Sequence, residues 1–170
     1  MNNPLIGPDW VRLMARYNAW QNRWLMPAIL SLPPGEAERD RGAFFGSIRK
    51  TVSHLLWADE IWLSRFVGAA RDGGGIAGSV DWAADIEDWA ARRPGVDADI
   101  VAWAQDLTDC AGDLTWHSPM LGRQVSKPKG LLFTHFFNHQ THHRGQVHAM
   151  LTALGIETGA SDVAFMPEDA

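Results

Sequence analysis

A chain of 170 residues suits a single domain with one real core, and 46% hydrophobic with 21% charged residues is ordinary globular composition. A net charge of −5 and a pI near 5.7 argue against a nucleic-acid partner, which requires clustered basic surface. One cysteine, Cys110, excludes an internal disulfide or a Cys-rich metal site, no apolar run reaches the roughly 20 residues of a membrane span, and MNNPLIGPDW lacks the regions of a signal peptide, so a cytoplasmic location is expected.

In chain order, Trp10, Leu13, Met14, Tyr17, Trp20, Trp24 and Leu25 recur at three- and four-residue intervals and predict an amphipathic helix over 9–31. LPPGE at 32–36 stops it, because proline cannot continue a helix and glycine supplies the turn. A second helix is expected over about 41–67, with Phe44, Ile48, Val52, Leu55, Trp62 and Phe66 as its buried stripe. Residues 68–79, GAARDGGGIAGS, read as a flexible loop. The helical pattern of 81–93 is interrupted at Pro94-Gly95 and resumes from an N-cap at Asp97 toward Leu114. Residues 114–127 alternate around Gly122 as a short hairpin. Ser126 and Pro128 open a last long helix that ends near Leu154, with Gly155 just past its end and a mostly irregular tail over 156–170. The sum is an all-α fold, four long helices in a bundle with a short hairpin or loop before the last.

Histidines concentrate in that last helix: His135, His139, His142, His143 and His148. His135, His139 and His143 share one stripe, but its ends lie roughly 12 Å apart in rise, too far for one ion with Zn–N bonds of about 2.0–2.1 Å. One close pair can chelate, and 135/139, 139/143 and 139/142 are all candidates. A further ligand must come from another element. His117 falls in the hairpin, at an exposed position, whereas His54 lies mid-helix with small neighbours, Ser47, Thr51 and Ala58, one and two turns away. His54 with one pair would make a site of three neutral imidazoles with an open position, as in catalytic zinc centres. The pair encloses no glutamate, so the Glu-based zinc-protease motif is absent.

AFFGSIRKTVSHLLWADEIWLSRF (43–66) followed by LLFTHFFNHQTHHRGQVHAMLTALG (131–155) resembles the DinB/YfiT-like superfamily of metalloenzymes. YNAWQNRWL (17–25) and SDVAFM (161–166) fit the same pattern, so the resemblance spans nearly the whole chain, 1–170 as one domain. It does not extend to the DNA polymerase that shares the DinB name. The resemblance implies an up-down-down-up four-helix bundle, a homodimer, and a divalent metal, zinc or nickel, at one end of the bundle. Carried over residue by residue, the ligands it implies are His54, His139 and His143. The family's third helix runs unbroken where this chain has ARRPGVDAD, which puts that helix's outline in question here.

Around these ligands, Asn138, Gln140, Gln146, Asp59 and Glu60 are nearby acceptors for the other imidazole nitrogens. Arg144 reads either as a clamp for an anionic substrate or as half of a structural ion pair. Tyr17 and Trp57 can line a pocket or belong to the core. Gly145, costly in mid-helix, suggests close approach of another helix. The functional reading is a metal-dependent enzyme acting on a small molecule, with no catalytic side chain identified. Within the resembled superfamily the chemistry is transfer or isomerisation with a low-molecular-weight thiol, or hydrolysis. The alternatives are a metal- or small-molecule-binding stress protein without turnover, and a dimerising bundle whose histidines are incidental.

Overall fold

A computed structural model describes residues 5–69, 71, 73–119 and 121–170. The architecture is mostly helical with one two-stranded antiparallel sheet. Helix α1 (Pro8–Leu30) starts with proline at its first position, where the missing N–H would be unpaired in any case, and with Asp9 near the positive end of the helix dipole. It ends before Leu32-Pro33-Pro34, much as the sequence suggests.

Helix α2 (Ile48–Phe66) begins later than expected. Residues 41–47 form a tight loop in which Arg41 N–H donates to Gly46 O, Gly46 N–H donates to Ala43 O, and Gly42 and Gly46 take positive φ. Ser47 then caps the helix by accepting from Lys50 N–H. One consequence corrects the expected stripe: Phe44 is 80% exposed, and its neighbour Phe45 turns inward instead. The segment read as loop before residue 80 contains a short helix, α3 (Ile76–Ser79). It is held to α2 by Ser53, whose hydroxyl donates to Ser79 O and accepts from Ala83 N–H.

Helix α4 (Ile86–Asp106) overturns two expectations: it runs through Pro94, and its N-cap is Asp85 rather than Asp97. Asp97 is instead buried in mid-helix. An internal proline costs about 3 kcal/mol. Against this, burying Ile100 recovers about 1.5–3 kcal/mol and Trp89 buries a still larger side chain, one on each side of the proline. Arg93 also pairs with Asp59 of α2 at 2.7 Å and, one turn on, with Asp97 at 2.8 Å, spanning the weakened turn. The helix stops at Asp106, short of the expected Leu114, because Leu107 turns extended.

Strands β1 (Asp113–Ser118) and β2 (Arg123–Pro128) form the expected hairpin, with Trp116 opposite Val125 and Gly122 at positive φ in the turn. Helix α5 (Lys129–Ala153) follows directly. It closes in a Schellman motif: Gly155 N–H donates to Thr152 O and Ile156 N–H to Leu151 O, with Gly155 at φ 74°. The tail carries a short 3-10 turn, Val163–Phe165.

Helix α1 packs on α4 and α5, and α2 packs on the same two. Two apolar clusters result. One takes Leu25 and Ile29 of α1, Ile48, Val52 and Leu56 of α2, Trp89 of α4, and Val147 and Leu151 of α5. The other takes Val11 and Ala15, Ile100 and Ala104, and Phe133, Phe136 and Phe137. Between them lies a buried polar layer. Asn18 and Asn22 donate to Asp97, Arg93 and Gln140 donate to Asp59, and Arg144 donates to Asn18. Burial pushes the Asp59 and Asp97 carboxyls up and Arg93 opposes it, so the layer is held by pairing rather than by solvent. No helix among the described residues is long and apolar enough to cross a membrane.

Candidate metal centre

Helix α2 contributes His54, and α5 contributes His139 and His143 one turn apart. The Nε2 atoms of His54 and His139 face each other at 3.1 Å. One ligand atom from each of the three rings lies within 4.8 Å of the others, a group that can hold a metal ion. Two nitrogens bound to one tetrahedral zinc at about 2.0–2.1 Å sit roughly 3.3 Å apart, so little rearrangement separates the observed spacing from coordination. Of the three pairs that spacing alone allows on α5, the structure brings the 139/143 pair to His54. His135 packs against Trp62 at 5.4 Å, while His142 and His117 are exposed. His148 contacts Thr158 and Trp24.

The ring orientations are fixed from outside. Ser79 Oγ donates to Ile76 O at 2.6 Å and therefore accepts the Nδ1–H of His54 at 2.7 Å. Gln146 Oε1 accepts the Nδ1–H of His143 at 2.8 Å. Both contacts select the tautomer whose Nε2 is free to bind a cation, the usual arrangement behind metal-bound histidine. Burial, and secondarily the neighbouring imidazoles, pull the His54 pKa down to about 4 and that of His139 to about 3. His143 is also lowered by burial, with the Gln146 bond opposing. Neutral imidazole is the ligand form, so the environment favours the state a metal requires.

Two aromatic side chains flank the site. The Phe45 ring centre lies 4.2 Å from that of His54 and 5.4 Å from that of His143. Trp57, a sequence candidate, lies 5.5 Å from His54 and donates its indole N–H to Gly73 O. Gln146 is the other candidate that reaches the site. Tyr17 and Arg144 do not belong to it: Tyr17 donates to Ser161 O, and Arg144 is buried over the Tyr17 ring and bonded to Asn18. Among the described residues Arg144 makes no close ion pair, and its buried guanidinium is turned to the polar layer rather than to the histidines. Asn138 is exposed, Gln140 serves Asp59, and Glu60 pairs with Arg92 and Arg71. The expected close approach at Gly145 is not seen: among the described residues an added Cβ there would meet nothing within 4 Å outside its own helix backbone. Sequence reasoning missed Ser79 and Phe45. The glycines of GAFFGS and the capping serine were the available signal for the loop that delivers Phe45, while nothing local marks Ser79.

The comparisons with known proteins agree with this geometry. The sequence signature of the DinB family matches residues 1–170. A relative called Protein DinB, from Bacillus subtilis (strain 168), is 25% identical over 158 residues, covering 91% of each chain. No solved structure matches significantly. A family match over the whole length, together with a histidine trio able to hold a metal, assigns the chain: it belongs to the DinB family.

Proposed function

We propose that this chain is a divalent-metal-dependent enzyme in which His54, His139 and His143 hold one ion, zinc or nickel, and leave a coordination position open to a small-molecule substrate. The observation that carries this reading is the convergence of Nε2 atoms from two helices while the Nδ1 atoms of His54 and His143 are tied to Ser79 and Gln146. With three neutral ligands a bound ion keeps its double charge, which polarises a carbonyl, acidifies a bound water or stabilises a thiolate. Phe45 and Trp57 place apolar rings against His54. Asp59 and Glu60, the nearest carboxylates in sequence, are committed to arginines, so neither serves as a general base. That favours a substrate bringing its own ionisable nucleophile: a low-molecular-weight thiol in S-transfer or isomerisation, ahead of hydrolysis.

The same reading takes the chain as a single domain forming an up-down-down-up four-helix bundle. In support, α1 and α5 meet the Val11–Phe137 cluster first and α2 and α4 meet the Ile48–Trp89 cluster first. A homodimer is proposed from the family resemblance alone, and a cytoplasmic location from the sequence pattern. The commitment of Asp59 and Glu60 to arginines equally suits a second reading, a stress protein that binds metal or a small molecule without turnover.

Elemental analysis tests the site: about one divalent ion per wild-type chain is expected, and little in a triple variant with alanine at 54, 139 and 143. Equal metal content in both would sink the proposal. A turnover screen pairing thiols with electrophiles, with His139→Ala as the blank, then separates enzyme from binder.

A further inference from the structure

Eleven residues beyond His54, three turns and roughly 16 Å along the same face of α2, stands Arg65. Arg41, Arg49, Arg71, Arg92 and Arg93 all have carboxylate partners. Among the described residues none pairs with Arg65. Its guanidinium lies 4.7 Å from the ring centre of Trp62 and 5.8 Å from that of Trp116 on the hairpin. The two indoles meet edge to face at 5.5 Å. Aromatic contacts then continue from Trp62 to His135 at 5.4 Å and from His135 to His139 at 5.8 Å. Arg65, Trp62 and Trp116 are half-buried and His135 is exposed, so a solvent-bordered aromatic strip joins the guanidinium to a metal ligand.

Packing alone gives no reason for this charge. Leucine or methionine would fill the space beside two indoles without desolvating a cation, and burial already works against the charged form. Cation–π contact offsets part of that cost. Among the described residues it leaves the five in-plane N–H donors without a protein acceptor, and their geometry matches an oxyanion. In a chain of net charge −5, an anionic ligand needs a dedicated cation.

We infer that Arg65 binds a carboxylate or phosphate of an elongated substrate whose other end reaches the ion at His54, His139 and His143. This rests on the metal-site reading above and narrows it: the substrate carries a metal-binding donor and an oxyanion about three helical turns apart, with an apolar or planar stretch between them along Trp62 and Trp116.

The probes are ω-mercaptoalkanoates of increasing length, matched with ω-mercaptoalcohols, on the cobalt-loaded protein. Thiolate binding is read from its charge-transfer band. Acids long enough to span the strip should bind about tenfold or more tightly than the matched alcohols, as a charge-assisted hydrogen bond predicts. Short acids should show no preference. Arg65→Met, and independently Arg65→Gln, should erase the preference while metal content and alcohol affinity stay unchanged. Equal affinity of acids and alcohols at every length, or a preference that survives both substitutions, overturns the inference while leaving the metal site standing. If no thiol gives a charge-transfer band, the open-position reading fails instead. The anion site is then decided on metal-free protein by the Arg65 Nε–H resonance: a saturable shift with a long-chain alkanoate supports it, and no shift overturns it.

Discussion

Ser79 accepts the Nδ1–H of His54 at 2.7 Å while giving its own proton to Ile76 O at 2.6 Å, so one buried hydroxyl decides which nitrogen of a metal-ligand candidate faces the site. Ser79→Ala should therefore weaken metal affinity by roughly 10–100-fold, as removal of such outer partners does elsewhere. Chelator competition measures the affinity and circular dichroism checks that the helices persist. Unchanged affinity in a folded variant would show that the hydroxyl does not set the ring.

Acid should destabilise the metal-free protein. His54 titrates near 4 and His139 near 3 in the folded state, below the ordinary histidine value, so the unfolded chain takes up protons first. Each imidazole then contributes stability that is complete above about pH 6.5 and lost as pH falls toward the folded values, by about 1.4 kcal/mol per pH unit. Asp59 and Asp97, raised by burial, act in the opposite sense. The comparison is thus between urea midpoints at pH 7 and pH 5 for wild type and for a His54→Gln, His139→Gln variant. The fall on acidification should be smaller in the variant, and an equal fall would contradict the lowered values.

Arg93→Leu should cost about 3–5 kcal/mol, because it strands two buried carboxylates rather than merely deleting a contact. Adding Asp59→Asn and Asp97→Asn removes the stranded charge and should recover much of the loss in denaturant unfolding. If the triple variant is no more stable than Arg93→Leu, uncompensated charge is not the cause.

Gly145→Ala should stabilise by about 1 kcal/mol, since the position is interior to α5 and the new methyl meets no neighbour within 4 Å. A thermal melt reads this directly. A loss of stability would mean that a neighbour approaches more closely than the structure places it.

The two phenylalanines of the capping loop should behave differently. Phe44→Ala, at 80% exposure, should change stability by less than about 0.5 kcal/mol. Phe45→Ala uncovers two imidazoles and should raise the folded pKa of His54 by easing its desolvation. NMR titration of the metal-free protein distinguishes them, and equal His54 titration in both variants would contradict the proposed shielding.

Much of the fold was legible because the signals were local. Pro8 and LPPGE bracket α1, Gly122 turns the hairpin, and Gly155 ends α5, each through backbone chemistry that needs no tertiary partner. Pro94 misled for the complementary reason: what carries α4 through it is an arginine paired with Asp59, 34 residues away in sequence. At the site, spacing left three histidine pairs open on α5; the family resemblance pointed to 139/143, and the position of α2 brings His54 to that pair. The periodic reading of Phe44 failed because two adjacent phenylalanines satisfy the same pattern, and a glycine-bracketed loop decides which one turns inward. Ser79 reaches His54 across 25 residues, a pairing no period encodes.

The bond from Gln140 to Asp59 has a consequence for the histidines. Gln140 follows His139 directly on α5, and Asp59 lies five positions after His54 on α2. Sliding one helix past the other by a single residue, about 1.5 Å, would stretch that bond and pull the facing imidazoles out of phase by the same amount. The interior amide therefore acts as a vernier for the largely buried imidazoles: the folded core brings the two halves of the candidate centre level, so donors able to hold a cation are already preorganised.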